Sequence, residues 1–100
     1  MTTKKSRFDI ARHLETDEDI AEFLSETAQE GEPSDFIHAL GIAARARGMA
    51  EIARKAGVTR ASLYKSLSED GKPQFDTVFR VCNALGLNLA MKPIPDHANA

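Results

Sequence analysis

The side chains that could act on another molecule crowd into one stretch of this sequence, Met49-Ala-Glu-Ile-Ala-Arg-Lys-Ala-Gly-Val-Thr-Arg-Ala-Ser-Leu-Tyr-Lys-Ser-Leu67. Near its end, Arg60, Ala61, Ser62 and Lys65 project from a helix on which Leu63 and Leu67 face inward. The exposed face of that helix is cationic and built of small residues. Such a helix fits the major groove of duplex DNA, about 12 Å wide, and Arg60 suits a guanine edge, worth about 1 to 3 kcal/mol of discrimination. Lys65, one turn on, reaches a further base or a phosphate, and Ala61 can meet a thymine methyl. Ser62 and Thr59 suit hydrogen bonds to phosphates or bases. Lys72 adds a phosphate contact, and Met49, which opens the preceding helix, completes the candidate contact set.

Two short helices must position these groups, Met49 to Ala56 and Arg60 to Ser68, with only Gly57-Val58-Thr59 between them. Ala53 is small enough for the helices to cross tightly. Gly57 supplies the positive backbone angle of a sharp turn, and Val58 plugs the gap beneath it. Ile52, Ala56, Leu63 and Leu67 form a shared apolar underside, and Thr59 stands where an N-cap is wanted.

The charges are unevenly spread. The chain of 100 residues has 13 Lys and Arg against 15 Asp and Glu, a net charge of -2. Residues 1–44 hold four basic and ten acidic side chains, a balance of -6, whereas residues 45–72 hold seven and three, a balance of +4. The middle segment would attract a polyanion, and the first would attract a basic protein. Glu22 and Glu26 line a solvated acidic face there.

Other chemistries find no support in the residues. A single Cys82 forms no internal disulfide and sits on an apolar helix face as a small hydrophobe. His13, His38 and His97 are isolated from one another, so no metal is expected, nor any cofactor. No Ser/His/Asp or Cys/His arrangement and no phosphate-cradling glycine loop can be assembled, which argues against an enzyme. The run Asp17-Glu18-Asp19 is explained by its place at a helix start, where carboxylates favour the helix dipole. With no apolar run long enough for a membrane span and no secretory leader, a cytoplasmic protein is expected, with no membrane association.

The remaining elements follow from periodicity. Phe8, Ile10, Ala11 and Leu14 form a short apolar anchor. Thr16-Asp17-Glu18-Asp19 is a capping box, followed by Ile20, Phe23, Leu24, Thr27 and Ala28 on one helical face, and Gly31 stops that helix. Pro33 opens the next, with Phe36, Ile37, Leu40, Ala43 and Ala44 inward and Gly41 open to a close neighbour. Phe75 to Leu85 makes the last helix, with Phe75, Val78, Phe79, Cys82 and Leu85 inward, and Gly86 ends it. Leu87, Leu89 and Met91 then alternate with polar or small residues, which predicts a short strand. A lone strand needs a partner. Ser6 to Ile10 is one candidate, and the same strand of a second copy is the stronger one. The alternative is an extended chain lying over the core.

The stretch around Ala53 and Gly57 resembles the helix-turn-helix of the Xre/Cro class, which includes phage repressors. A longer similarity runs from Phe8-Asp9 through Ala39-Leu-Gly, Ala46-Arg-Gly-Met-Ala-Glu-Ile-Ala, Ser62-Leu-Tyr-Lys-Ser-Leu-Ser and Gly71-Lys-Pro to Asn83-Ala-Leu-Gly-Leu-Asn-Leu. It covers about residues 8 to 93 and resembles the addiction-module antidote (antitoxin) proteins of the HigA-like kind. The resemblance implies an all-α, five-helix lambda-repressor-like domain over residues 16–92, with the helix-turn-helix at 49–68. An N-terminal arm (1–15) precedes it, the short strand closes it, and a loose tail (93–100) follows. It further implies a homodimer that binds double-stranded operator DNA, represses its own operon and neutralises a RelE/ParE-like toxin of the HigB kind. The chain departs from that family's pattern at Gln74, where Thr or Ser usually caps the last helix. Two other functions fit the same residues: a stand-alone phage-type regulator without a toxin, and a protein-only neutraliser that does not bind DNA.

Overall fold

The computed structural model describes residues 13–95, and within them it is all-helical. The helices are α1 (Asp17–Glu30), α2 (Pro33–Arg47), α3 (Met49–Ala56), α4 (Arg60–Ser66) and α5 (Phe75–Ala84). The predicted starts are where local chemistry put them. Thr16 Oγ1 accepts from the Asp19 amide at 3.0 Å, and the Asp19 carboxylate accepts from the Thr16 amide at 3.1 Å, the reciprocal pair of a capping box. Pro33 occupies the first position of α2.

α2 is the central helix. From Ala39 to Ala44 every residue is buried, so this stretch has neighbours on all sides and the rest of the domain is arranged around it. α1 packs along it, inserting Ile20 and Leu24, and Leu67 packs on Gly41 from the far end of α4. α3 lies against α5 as well as against α2 and α4. The apolar underside expected beneath α3 and α4 forms as read: Ile52, Ala53, Ala56, Leu63 and Leu67 all enter the core.

Two expectations are corrected. Among the described residues no strand forms: Leu87 to Met91 is extended chain without a ladder, because a strand exists only through hydrogen bonds to a neighbour and no described segment pairs with it. Leu87 is half-buried, whereas Leu89 and Met91 are exposed. The inward face of α5 is also rotated from the predicted one. Val81, Cys82 and Leu85 are buried, while Phe75 and Phe79 are 68% and 43% exposed. At about 100° per residue the buried stripe centres between Val81 and Cys82, placing Phe79 about 110° away; Phe75 lies beyond the core at the first helical position. The α4 helix ends at Ser66, two residues sooner than periodicity suggested. Phe8, Ile10, Ala11, the candidate pairing segment Ser6 to Ile10, and His97 lie outside the described residues. Leu14, the last member of the anchor, is buried in the core.

Candidate nucleic-acid interface

The turn between α3 and α4 is built by main-chain hydrogen bonds. The Val58 amide donates to the Ala53 carbonyl at 3.0 Å and the Gly57 amide to the Arg54 carbonyl at 3.2 Å, the paired bonds of a Schellman motif. The motif requires its penultimate residue in the left-handed region, and Gly57 takes φ 76° and ψ 29°. Val58 packs against the core below. Thr59 then caps α4, its hydroxyl accepting from the Ser62 amide at 3.0 Å. Turn, cap and underside together hold α4 on the surface with Leu63 buried and Arg60, Ala61, Ser62 and Lys65 exposed side by side.

Charge pairing distinguishes the cations of this region. Arg54 and Lys55 are directed at Glu51, at 2.5 and 3.8 Å, and Arg47 reaches Asp17 at 2.5 Å. Arg54 holds the Glu51 carboxyl below its ordinary range by hydrogen bonding, and Glu51 in turn raises the guanidinium. Arg60, Lys65 and Lys72 have no acidic partner among the described residues. Their charge is therefore available to a ligand, whereas that of Arg54 and Lys55 is largely met on the protein.

Lys72 reaches this neighbourhood through a loop pressed against the end of α4. A Cβ on Gly71 would stand 2.2 Å from the Ser66 carbonyl oxygen and 2.7 Å from that of Lys65, so only glycine permits the approach. Gln74 caps α5 without a side-chain hydrogen bond. Met49 differs from the rest of the predicted set. Its side chain is 5% exposed and belongs to the core, which leaves its main-chain amide, at the first position of α3, as the group it can offer.

Sequence reasoning missed one feature of this surface. The Arg45 guanidinium lies 5.6 Å from the centroid of the Tyr64 ring, so a cation from α2 covers the exposed aromatic of α4. No spacing rule links residues so far apart in sequence. Tyr64 is 42% exposed beneath this cap.

The family model of probable addiction module antidote proteins matches residues 4–93. The chain belongs to that family. An uncharacterized protein of Haemophilus influenzae is 45% identical over 92 residues, 92% of this chain and 95% of its own length. No solved structure matches. An antidote implies a toxin as its partner, and opposing that toxin as its role. Among the described residues of this antidote, no helix is long and apolar enough to cross a membrane.

Proposed function

We propose that this antidote is a DNA-binding antitoxin of the Xre/Cro, HigA-like class, a cytoplasmic homodimer that represses its own operon and neutralises a RelE/ParE-like toxin of the HigB kind. The observation that carries the DNA-binding reading is the exposed face of α4, where Arg60 and Lys65 lack acidic partners among the described residues, beside the small residues Ala61 and Ser62. In this reading residues 16–92 are the domain and residues 49–68 its helix-turn-helix. α4 enters the major groove, Arg60 pairs with a guanine, and Lys65 takes a base or a phosphate. Ala61 meets a thymine methyl, while Thr59 and Ser62 bond to the backbone or to base edges. The Met49 amide and Lys72 hold phosphates on either side. A two-fold mate reads the next half-site, roughly 34 to 36 Å away, and the dimer covers promoter DNA.

The toxin docks on the acidic first third, where Glu22 and Glu26 are exposed on α1, and its binding alters operator affinity by mutual coupling. A gel shift of the purified chain against its own upstream DNA and against random duplex tests the first half of this reading. A sequence-selective shift is expected. No shift at low salt would leave a protein-only neutraliser.

A further inference from the structure

A cation from outside the two short helices stands at the edge of α4. Arg45 of α2 is exposed and, among the described residues, pairs with no acidic group, whereas Arg47, two residues on, is directed at Asp17. Its guanidinium is held against α4 instead. It lies 5.6 Å from the centroid of the Tyr64 ring, and a Cβ on Gly41, one turn earlier in α2, would stand 3.3 Å from Arg45 Nη1. The same Cβ would stand 3.0 Å from the Leu67 carbonyl oxygen, so the bare backbone at Gly41 admits both the end of α4 and the Arg45 side chain lying back towards it. An aromatic face attracts a guanidinium without neutralising it. Arg45 therefore keeps its charge in a defined place.

We propose that Arg45 holds a backbone phosphate beside the groove that α4 enters, with Tyr64 as its positioning residue; this contact rests on the DNA-binding reading of α4. At about 100° per residue, Tyr64 stands about 100° round α4 from buried Leu63, on a flank of the helix, while Ala61 and Lys65 straddle the outward direction. The first turn of such a helix carries the groups that reach base edges. Tyr64 follows Arg60 by four residues, so Arg45 covers the flank one turn behind that end. A helix with its side chains is about 10 to 12 Å across and fills a major groove about 12 Å wide. A cation set beyond its flank therefore meets the phosphate strand that borders the groove. Lys72 comes from the loop packed at the Ser66 end of α4 and meets a different stretch of backbone. Contacts of this kind fix a protein's register on its site without reading bases.

The test compares Arg45→Gln and Arg45→Lys with the full-length parent by fluorescence anisotropy, against the chain's own upstream DNA and a scrambled duplex. Arg45→Gln should weaken both duplexes alike and reduce the slope of log affinity against log salt by about 0.9, so that its deficit against the parent shrinks about 3.5-fold between about 50 and 200 mM salt. Arg45→Lys, which keeps the charge, should restore the slope. An unchanged slope in Arg45→Gln overturns the proposal, and a lowered melting temperature beside it would make Arg45 a brace of the fold. Tyr64→Phe keeps the ring and should match the parent. Tyr64→Leu should weaken binding in the parent and add nothing in the Arg45→Gln background; an equal loss in both would mean that the ring itself touches DNA, which overturns its positioning role. A parent that binds neither duplex at low salt overturns the DNA-binding reading together with this contact. A parent whose slope falls with Lys72→Ala and not with Arg45→Gln overturns this contact alone.

Discussion

Arg60 separates reading a sequence from merely attracting a polyanion. Its side chain is exposed and pairs with no acidic group among the described residues, so Arg60→Ala removes nothing from the fold and the melting temperature should stay constant. The loss falls on DNA alone. A bidentate contact to guanine contributes about 1 to 3 kcal/mol, which is about five- to 160-fold in operator affinity. Arg60→Lys sharpens the argument because it keeps the charge and removes the planar fork. Affinity of Arg60→Lys for random duplex should stay within about twofold of the parent, while operator affinity falls nearly as far as in Arg60→Ala. Fluorescence anisotropy at one fixed salt concentration, with operator and scrambled duplexes side by side, measures both ratios. If Arg60→Ala weakens operator and scrambled DNA by the same factor, Arg60 is a phosphate contact and the base-reading role is wrong.

Lys72→Ala should behave in the opposite way, weakening all duplexes alike and reducing the slope of log affinity against log salt by about 0.9, read from a salt titration. Charge reversal at Glu22 and Glu26 should weaken toxin capture in a pull-down without changing the gel shift, and undiminished capture would remove the toxin from α1. Thr59→Ala deletes the acceptor for the Ser62 amide and should cost about 0.5 to 2 kcal/mol in urea unfolding, most of which Thr59→Ser restores. Asp19 titrates below its ordinary value of 3.8, chiefly through the Thr16 amide hydrogen bond. Its contribution is therefore present above that value and lost as pH falls through the lower folded value, so Asp19→Asn should flatten the stability profile in that acid window, measured by thermal unfolding against pH.

Much of the candidate site was legible in sequence because its parts are local. The Thr16 and Thr59 caps, the Gly57 turn and the break at Gly86 depend on main-chain geometry within four or five residues, and each formed where its residue types demanded. The alternation of Leu63 and Leu67 with Arg60, Ala61, Ser62 and Lys65 likewise fixed which side of α4 would be buried. The similarity over residues 4–93 then supplied the antidote family, which no single spacing could.

Packing partners distant in sequence decided the rest. Met49 has the same type and helix position whether it faces water or the core, and only its place among the packed helices buries it. Phe75 and Phe79 satisfied the predicted stripe of α5, but where α2 and α3 meet that helix rotated its inward face toward Val81. Which cations were neutralised was equally non-local: Asp17 took Arg47 from the end of another helix, and Tyr64 acquired Arg45. Leu87 to Met91 had the alternation of a strand and no ladder to any described segment, because a strand is a relation between two segments. The amino-acid order determined each element and its ends; the three-dimensional arrangement determined which faces met, since burial and ion pairing depend on neighbours that lie far apart along the chain.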